Sequence, residues 1–291
     1  MAISTSSTLT ESVYAKMIET LIAEYQYDEA TAIPYFRYTS LVNTPSATAS
    51  FPRLTKDSVG AVATEATSLT ATTFDSSTVD IAVSRVGIAR TIAETAIEDS
   101  IWGRALYTDM LVKDAAKLFG ISMDTDATAL FPSLTASVGS TTVALTIAVL
   151  VSAMTTQRAN KARGAQVIHL HDLQLKDLQA AQAAATATPW TAFFQPNADH
   201  TAFGGYFMGA PVMASSLNAT ANTAADRVGA VWSQGQSSPA YAAFALVVKR
   251  MPSSLTQTDI LQDASVWASF CRYGVGIPCN NFGTKIVSKN L

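Results

Sequence analysis

Charge is what this chain has least of. Asp, Glu, Lys and Arg make up 14% of its 291 residues, against roughly a quarter in ordinary soluble domains. The net charge is −3 with no run of Lys or Arg, which excludes the basic patch of a sequence-reading nucleic-acid binder. It does not exclude a shell that merely encloses DNA. The two cysteines, Cys271 and Cys279, match no metal or redox spacing. They read as reduced, buried thiols of a cytosolic protein, with a disulfide as the lesser alternative. Of three histidines, only His169 and His171 are close. On a strand their rings would face one side and could share a metal, but no third ligand accompanies them, and zinc sites take three or four. Asp172 is better used as a helix cap, and His200 stands alone. There is no Gly-x-Ser-x-Gly elbow and no Walker A loop. Gly274-x-Gly276 lacks the third glycine of a dinucleotide loop. Glu94, Glu98 and Asp99 suit a helix start and its dipole better than a catalytic pair. The opening Met-Ala-Ile-Ser-Thr-Ser has neither the basic nor the apolar region of a signal peptide. The longest apolar run, Val143–Met154, is too short for a bilayer. The reading is a chain with no enzyme activity, cofactor, metal or membrane span.

Ala, Thr and Ser fill the gap that charge leaves. A monomer with so few charges should be poorly soluble, so neighbours are expected to cover much of its surface; a plain Thr/Ala-rich surface is the bland alternative. The informative stretch is Ala49–Leu130. Ser50-Phe51-Pro52-Arg53-Leu54-Thr55-Lys56 is strand-like and leads into a polar loop, Val59–Ser68. The return alternates, with Val79, Ile81 and Val83 apolar between small or polar residues, as in a half-exposed strand. Beyond Arg85 the apolar set becomes Val86, Ile88 and Ile92, which predicts a bulge or bend near Ser84-Arg85. Thr91-Ile92-Ala93-Glu94 has capping-box spacing. A long helix follows, Ile101–Leu130, with Trp102, Leu106 and Met110 on one stripe, Leu111, Ala115 and Leu118 beside it, and Pro132 as a stop. Gly120 weakens its middle and marks a bend. A ribbon this long with so little apolar filling at its tip is marginal alone. It needs another molecule to lie on.

These residues carry a resemblance. Phe51-Pro52-Arg53-Leu54, Glu65 within Ala63-Thr64-Glu65-Ala66, a return strand with Arg85, Gly87 and Arg90, then Glu94 and Glu98-Asp99-Ser100 before a long helix resemble, in order and pattern, the major capsid protein of tailed bacteriophages, the Hong Kong 97-type fold. In that family the arm is the E-loop and the helix is the spine helix. The rest of the chain is similar too. Thr10–Gln26 is helical, with Val13, Met17, Leu21 and Tyr25 on one stripe widened by Tyr14, Ile18 and Ile22. In the family such an arm reaches a neighbour; the alternative is a helix folded on its own domain. Ser140-Thr141-Thr142 could cap a helix with Val143, Ile147, Leu150, Val151 and Met154 apolar. Val167–His171 reads as a buried strand and Asp172–Ala185 as a helix, as in the family's A domain. Gly205 to Val212 resembles the family's Gly-x-x-x-Gly-x-Pro-Val turn. Val228–Gln234, Phe244–Lys249 and Ala264–Tyr273 read as strands.

The resemblance implies an α+β fold: an N-terminal arm (1–46), an E-loop (47–90), a P domain with spine helix and antiparallel sheet (91–140, completed by 250–291) and an A domain (141–249). It implies a structural protein that assembles with itself into pentamers and hexamers of an icosahedral head enclosing double-stranded DNA. Portal, scaffolding and decoration proteins are its further implied partners, and a virion assembled in the host bacterial cytoplasm its place. The residues expected at intersubunit contacts are Arg53, Lys56, Glu65, Asp75, Val79, Ile81 and Val83. Some family members join subunits by a Lys–Asn bond; Lys56 with Asn280, Asn281 or Asn290 is the only such set, and a solvated lysine is the commoner reading. With about 45 residues before the E-loop, no large propeptide is expected. An encapsulin-type compartment shares the fold and is the alternative. A ligand-binding or hydrolytic α+β monomer is a third reading.

Overall fold

The computed structural model describes residues 30–54, 76–95, 103–162, 164–184, 194–196, 203–221, 226–235, 242–259 and 263–289. The helix expected over Thr10–Gln26 and the arm tip lie outside them. A 26-residue helix, α1 (Gly103–Thr128), runs between two sheets. Its length is about 39 Å. It passes through Gly120 without a break, and Pro132 sits in a 3-10 turn, Phe131–Ser133, that ends it. Its buried side is not the expected one. Val112, Ala115, Ala116, Phe119, Met123 and Ala127 are buried, while Met110 and Leu118 are exposed. The strands approach where Ala115, Ala116 and Gly120 keep the helix thin, and the larger Met110 and Leu118 are turned away. The side chains of Trp102 and Leu106 lie outside the described residues.

The first sheet has four strands in the order β1 (Arg37–Ser40), β12 (Ala245–Asp259), β13 (Ala264–Gly276) and β4 (Ser84–Ala93). β1 pairs parallel with β12, and the other pairings are antiparallel. β12 runs on past Lys249, the end expected for this strand, through Pro252 and the Ser/Thr-rich stretch after it. Register shifts between Val248 and Ser253 absorb the proline, as bulges do. Trp267, Cys271 and Tyr273 of β13 face α1 and are buried. Tyr273 Oη donates to Asp126 Oδ2 at 2.7 Å and lies 3.0 Å from Ser122 Oγ, so it ties the sheet to the helix. Burial raises the Tyr273 phenol and pushes the Cys271 thiol up to about 12.

The second sheet has eight strands: β5 (Ala136–Ser140), β14 (Gly283–Lys289), β11 (Asp226–Ser233), β6 (Gln166–Leu170), β9 (Ala210–Ala214), β8 (Phe203–Phe207) and β7 (Phe194–Pro196), with β10 (Thr220–Ala221) beside β11. β5, β6 and their partners β14 and β9 run parallel. Helices α2 (Ile147–Ala159) and α3 (Asp172–Ala184) belong to this sheet, and Leu150, Met154 and Leu178 pack with Ile168, Val212, Val231 and Ile286. The other face gives Val167, Val228, Ala230 and Trp232 to the core shared with α1. α2 begins after Thr146 rather than at Ser140, because Ala136–Ser140 is taken up in the ladder with β14; Val143 is exposed. Met208 and Gly209 both have positive φ and close the β8–β9 hairpin, the geometry that favours glycine in tight hairpin turns. Sheet membership crosses the boundaries expected at 140 and 250, since β5 and β14 both join the eight-stranded sheet. Among the described residues no helix is long and apolar enough to cross a membrane.

Candidate assembly surface

The arm begins as a two-stranded ribbon, β2 (Thr48–Leu54) against β3 (Ser76–Ala82), in register from Thr48↔Ala82 to Leu54↔Ser76. The chain then changes sheets. β3 ends at Ala82, and after Val83 the strand β4 pairs with β13. That switch is the phase slip seen in the sequence, displaced by one or two residues. Thr91 to Ala93 remain in the ladder with β13, so Thr91 does not cap a helix; Glu94 N–H donates to Asp263 O at 2.9 Å, and Ser265 Oγ donates to Glu94 Oε1.

The root of the ribbon is seated on its own chain. Ile81, Val83, Ala49 and Phe51 are buried with Leu41, Ala245 and Val247. A Cβ on Gly274 would sit 2.2 Å from Ala82 O, and one on Gly276 2.7 Å from Ile81 side-chain carbons. Only glycine lets β13 and the ribbon come this close. Lys249 Nζ donates to Thr44 O at 3.0 Å and to Ser46 O, which holds the turn leading into the arm. Ile81 and Val83, assigned from the sequence to a neighbour, are therefore covered inside the subunit: the apolar partner of that face is β12. Val79 and Arg53 are half-buried on the same ribbon, and Arg53 is near enough to lower the Cys279 thiol against the upward push of burial. Lys56, Glu65 and Asp75 lie outside the described residues. Gly274, Gly276 and Lys249 were missed as arm residues, because nothing local marks a glycine as a seat for a distant strand.

The four-stranded sheet has a second face. Register places Val266, Ala268, Phe270 and Arg272 of β13 on it, with Thr91, Ala89, Gly87 and Arg85 of β4, and Gln257, Leu255, Ser253 and Arg250 of β12. None of the described helices covers it. Leu255 is 61% exposed. Phe270 lies across Gly87, where a Cβ would meet its ring at 2.3 Å, and the Arg85 guanidinium sits 3.9 Å above the ring centroid. The result is a flat, half-apolar surface bearing three arginines. Arg90, on the opposite face, pairs with Asp114 of α1 at 2.9 Å, an exposed contact of small energy.

No family model matches the sequence, and no curated protein sequence matches it. Solved structures do. The capsid of the cyanophage P-SCSP1u is 12% identical with a TM-score of 0.63, covering 88% of this chain and 87% of that one. The capsid of a native GTA particle is 12% identical with a TM-score of 0.63, covering 90% and 91%. This chain has the phage capsid-protein fold. A virus-like particle from Pyrococcus furiosus shares it at 7% identity, with a TM-score of 0.59 and coverage of 95% and 99%. In the capsid-protein fold the ribbon β2–β3 is the base of the E-loop and α1 is the spine helix.

The capsid-protein fold also accounts for the residues that resembled a site. His169 is fully buried between the sheets. Its Nε2 lies 2.9 Å from Thr31 Oγ1, which donates to Asp124 Oδ2 at 2.7 Å. Nε2 therefore donates to Thr31. Asp124 also accepts the Thr31 and Ala32 N–H groups at 3.1 and 2.7 Å. A strand of the eight-stranded sheet, the spine helix and the start of the described chain meet there. Burial lowers the imidazole to about 4, against the upward pull of Asp124 and Asn218. His171 lies past the strand end and caps α3. Its Nδ1 accepts Leu173 N–H at 3.1 Å, and Gln174 Oε1 accepts His171 N–H at 3.0 Å. This reciprocal pair is a capping box, one residue ahead of Asp172, the expected cap. Among the described residues no three His, Cys, Asp or Glu come together to hold a metal.

Proposed function

We propose that the protein is the major capsid protein of a tailed phage, with a structural rather than enzymatic role. Copies would form pentamers and hexamers and close an icosahedral shell around double-stranded DNA, without reading its sequence. Portal, scaffolding and decoration proteins are the further partners such a head needs, and the virion, assembled in the host bacterial cytoplasm, is its place. The observation that carries this is the match to phage capsids over about nine-tenths of both chains. The bare sheet face is the surface we assign to the arm of an adjacent copy. Between Ser50 and Asp80 the arm holds four acidic residues and two basic ones, and the face holds Arg85, Arg250 and Arg272. Opposite charges steer and orient such contacts. Of the residues first expected there, Arg53, Lys56, Glu65, Asp75 and Val79 remain in the proposal. Closed symmetry would saturate surfaces that otherwise aggregate.

Electron microscopy of the expressed protein tests the reading. Closed particles or capsomers are expected; a stable monomer at micromolar concentration would overturn it. Replacing the arm tip, Val59–Ser68, by a short Gly-Ser turn should leave circular dichroism unchanged, because loop closure varies slowly with length, and should lower particle yield. A second reading, an encapsulin-type compartment, draws on the Pyrococcus furiosus particle, which matches 95% of this chain. Nuclease-protected DNA inside particles favours the phage head, and enzyme cargo the compartment.

A further inference from the structure

Where α1, β6 and the start of the described chain meet, three buried polar atoms stand without partners. His169 Nδ1 and both amide atoms of Asn218, Nδ2 and Oδ1, make no hydrogen bond among the described residues. His169 is fully buried and Asn218 is 4% exposed. Native interiors leave few such groups, since each unpaired one costs its full desolvation. The two side chains are neighbours. Asn218 is near enough to pull the imidazole's protonation upward, although no bond of good geometry joins them. The turn that carries Asn218 is fixed from the helix side: Thr128 Oγ1, one turn beyond Asp124, donates to Leu217 O at 3.0 Å. The walls of the site give Nδ1 no alternative partner. Phe131 and Trp232 flank the imidazole, with ring centroids 5.5 and 6.3 Å from its own.

The proton count decides what fits. Thr31 Oγ1 gives its hydrogen to Asp124 Oδ2, so Nε2 carries the imidazole proton and Nδ1 is a bare acceptor. The Asn218 amide offers a donor nitrogen and an acceptor oxygen. Direct contact would serve Nδ1 through Nδ2 and leave Oδ1 unpaired. One water molecule serves all three atoms: it accepts from Nδ2–H, donates one hydrogen to Oδ1 and donates the other to Nδ1. About three bonds is usual for a buried water, and such waters sit on otherwise unsatisfied polar groups. We infer that the space between His169 Nδ1 and the Asn218 amide is a binding site for a single structural water, which links β6 to the turn after β9. The inference is independent of the shell reading, since it concerns the interior of one chain.

A density map of the full chain, resolved finely enough to show ordered solvent, tests it. A solvent peak is expected about 2.7–3.2 Å from His169 Nδ1 and from both Asn218 amide atoms. No peak, or Asn218 turned into direct contact with Nδ1, overturns the inference. Asn218→Leu, close in size but apolar, should lose the peak; a peak that persists there shows that Asn218 does not hold it, and overturns the site equally. If that variant does not fold, 15N spectra of the histidine-labelled wild-type protein at neutral pH decide, because the chain has only three histidines to assign. His169 should be the Nε2–H tautomer with Nδ1 accepting a hydrogen bond. An Nδ1 that carries the proton, or that accepts no bond, overturns the inference.

Discussion

The two sheets bury their strands differently. In the eight-stranded sheet β11 is buried at seven of its eight positions, because α2 and α3 pack on one side and the α1 core on the other. In the four-stranded sheet β4 is exposed or half-buried throughout; one face meets α1, and the other is covered, among the described residues, only at its Ala245–Val247 end, by the root of the ribbon. Strands buried on both faces read as continuous apolar runs, and half-covered ones as alternation. The eight-stranded sheet is therefore where the subunit's own stability should reside. The four-stranded sheet is where covering by other molecules should matter.

The sharpest break is Trp232→Ala. Trp232 is 1% exposed and packs against Phe36, Phe131 and Phe244, with ring centroids 5.8, 5.7 and 5.3 Å away. Removing so large a buried side chain costs about 3–5 kcal/mol, a large share of a typical domain's stability. Urea unfolding should show the loss, and no particles should form. An unchanged midpoint would mean that this junction does not hold the subunit.

Acid should come next. His169 is lowered to about 4 from 6.5 by burial. Its contribution is complete above about pH 6.5 and is lost as pH falls towards 4, because only the unfolded chain takes up the proton in that window. The size is roughly 3 kcal/mol, at 1.36 kcal/mol per unit. His171, lowered mainly by burial and next by Arg227, works in the same direction, since a protonated Nδ1 cannot accept Leu173 N–H. His169→Gln should flatten the loss of thermal stability between pH 6.5 and 4. A profile as steep as wild type would move the acid sensitivity elsewhere.

Gly274→Val tests the seat of the arm. A side chain there meets Ala82 O, and overpacking of this kind costs about 1–3 kcal/mol. Circular dichroism should persist while particle yield falls. Wild-type yield would show that the ribbon tolerates displacement.

What was legible in the sequence had period. The alternation at Val79, Ile81 and Val83 gave β3, and its slip marked the switch into β4. Pro132 marked the end of α1, and Val167–His171 gave β6. What was illegible depended on distant partners. The buried side of α1 is chosen by where two sheets press, and Met110 looks no less apolar than Met123. Ile81 and Val83 looked unpartnered because Ala245 and Val247 lie more than 160 positions away. β12 hid behind Pro252, tolerated only because a register shift accommodates it. His171 as a cap was visible in principle, since Gln174 stands at the right spacing, but histidine is an uncommon residue there.

The smallest change to the subunit should have an outsized effect on assembly. Leu255 is 61% exposed on the bare face, opposite Ala268 and one pair from Phe270. Leu255→Lys removes no buried contact, and surface substitutions of this type stay within about 0.5 kcal/mol. Urea midpoints of wild type and variant should coincide. If the face is covered by the acidic arm of an adjacent copy, the lysine also deletes apolar area worth about 25 cal/mol per Å² at each contact. It adds a positive charge to a face that already carries Arg85, Arg250 and Arg272, four residues further along β13. Small losses repeated round a closed shell add up, so particle yield or shell melting temperature should drop although the subunit is unchanged. Leu255→Glu separates the two causes: it loses the same apolar area but offsets the arginines, and would repel an acidic arm directly. Both variants failing to assemble fits an apolar, acidic partner on this face. Normal particles from both would leave the face bare in the shell, and the proposed covering of the four-stranded sheet would fall.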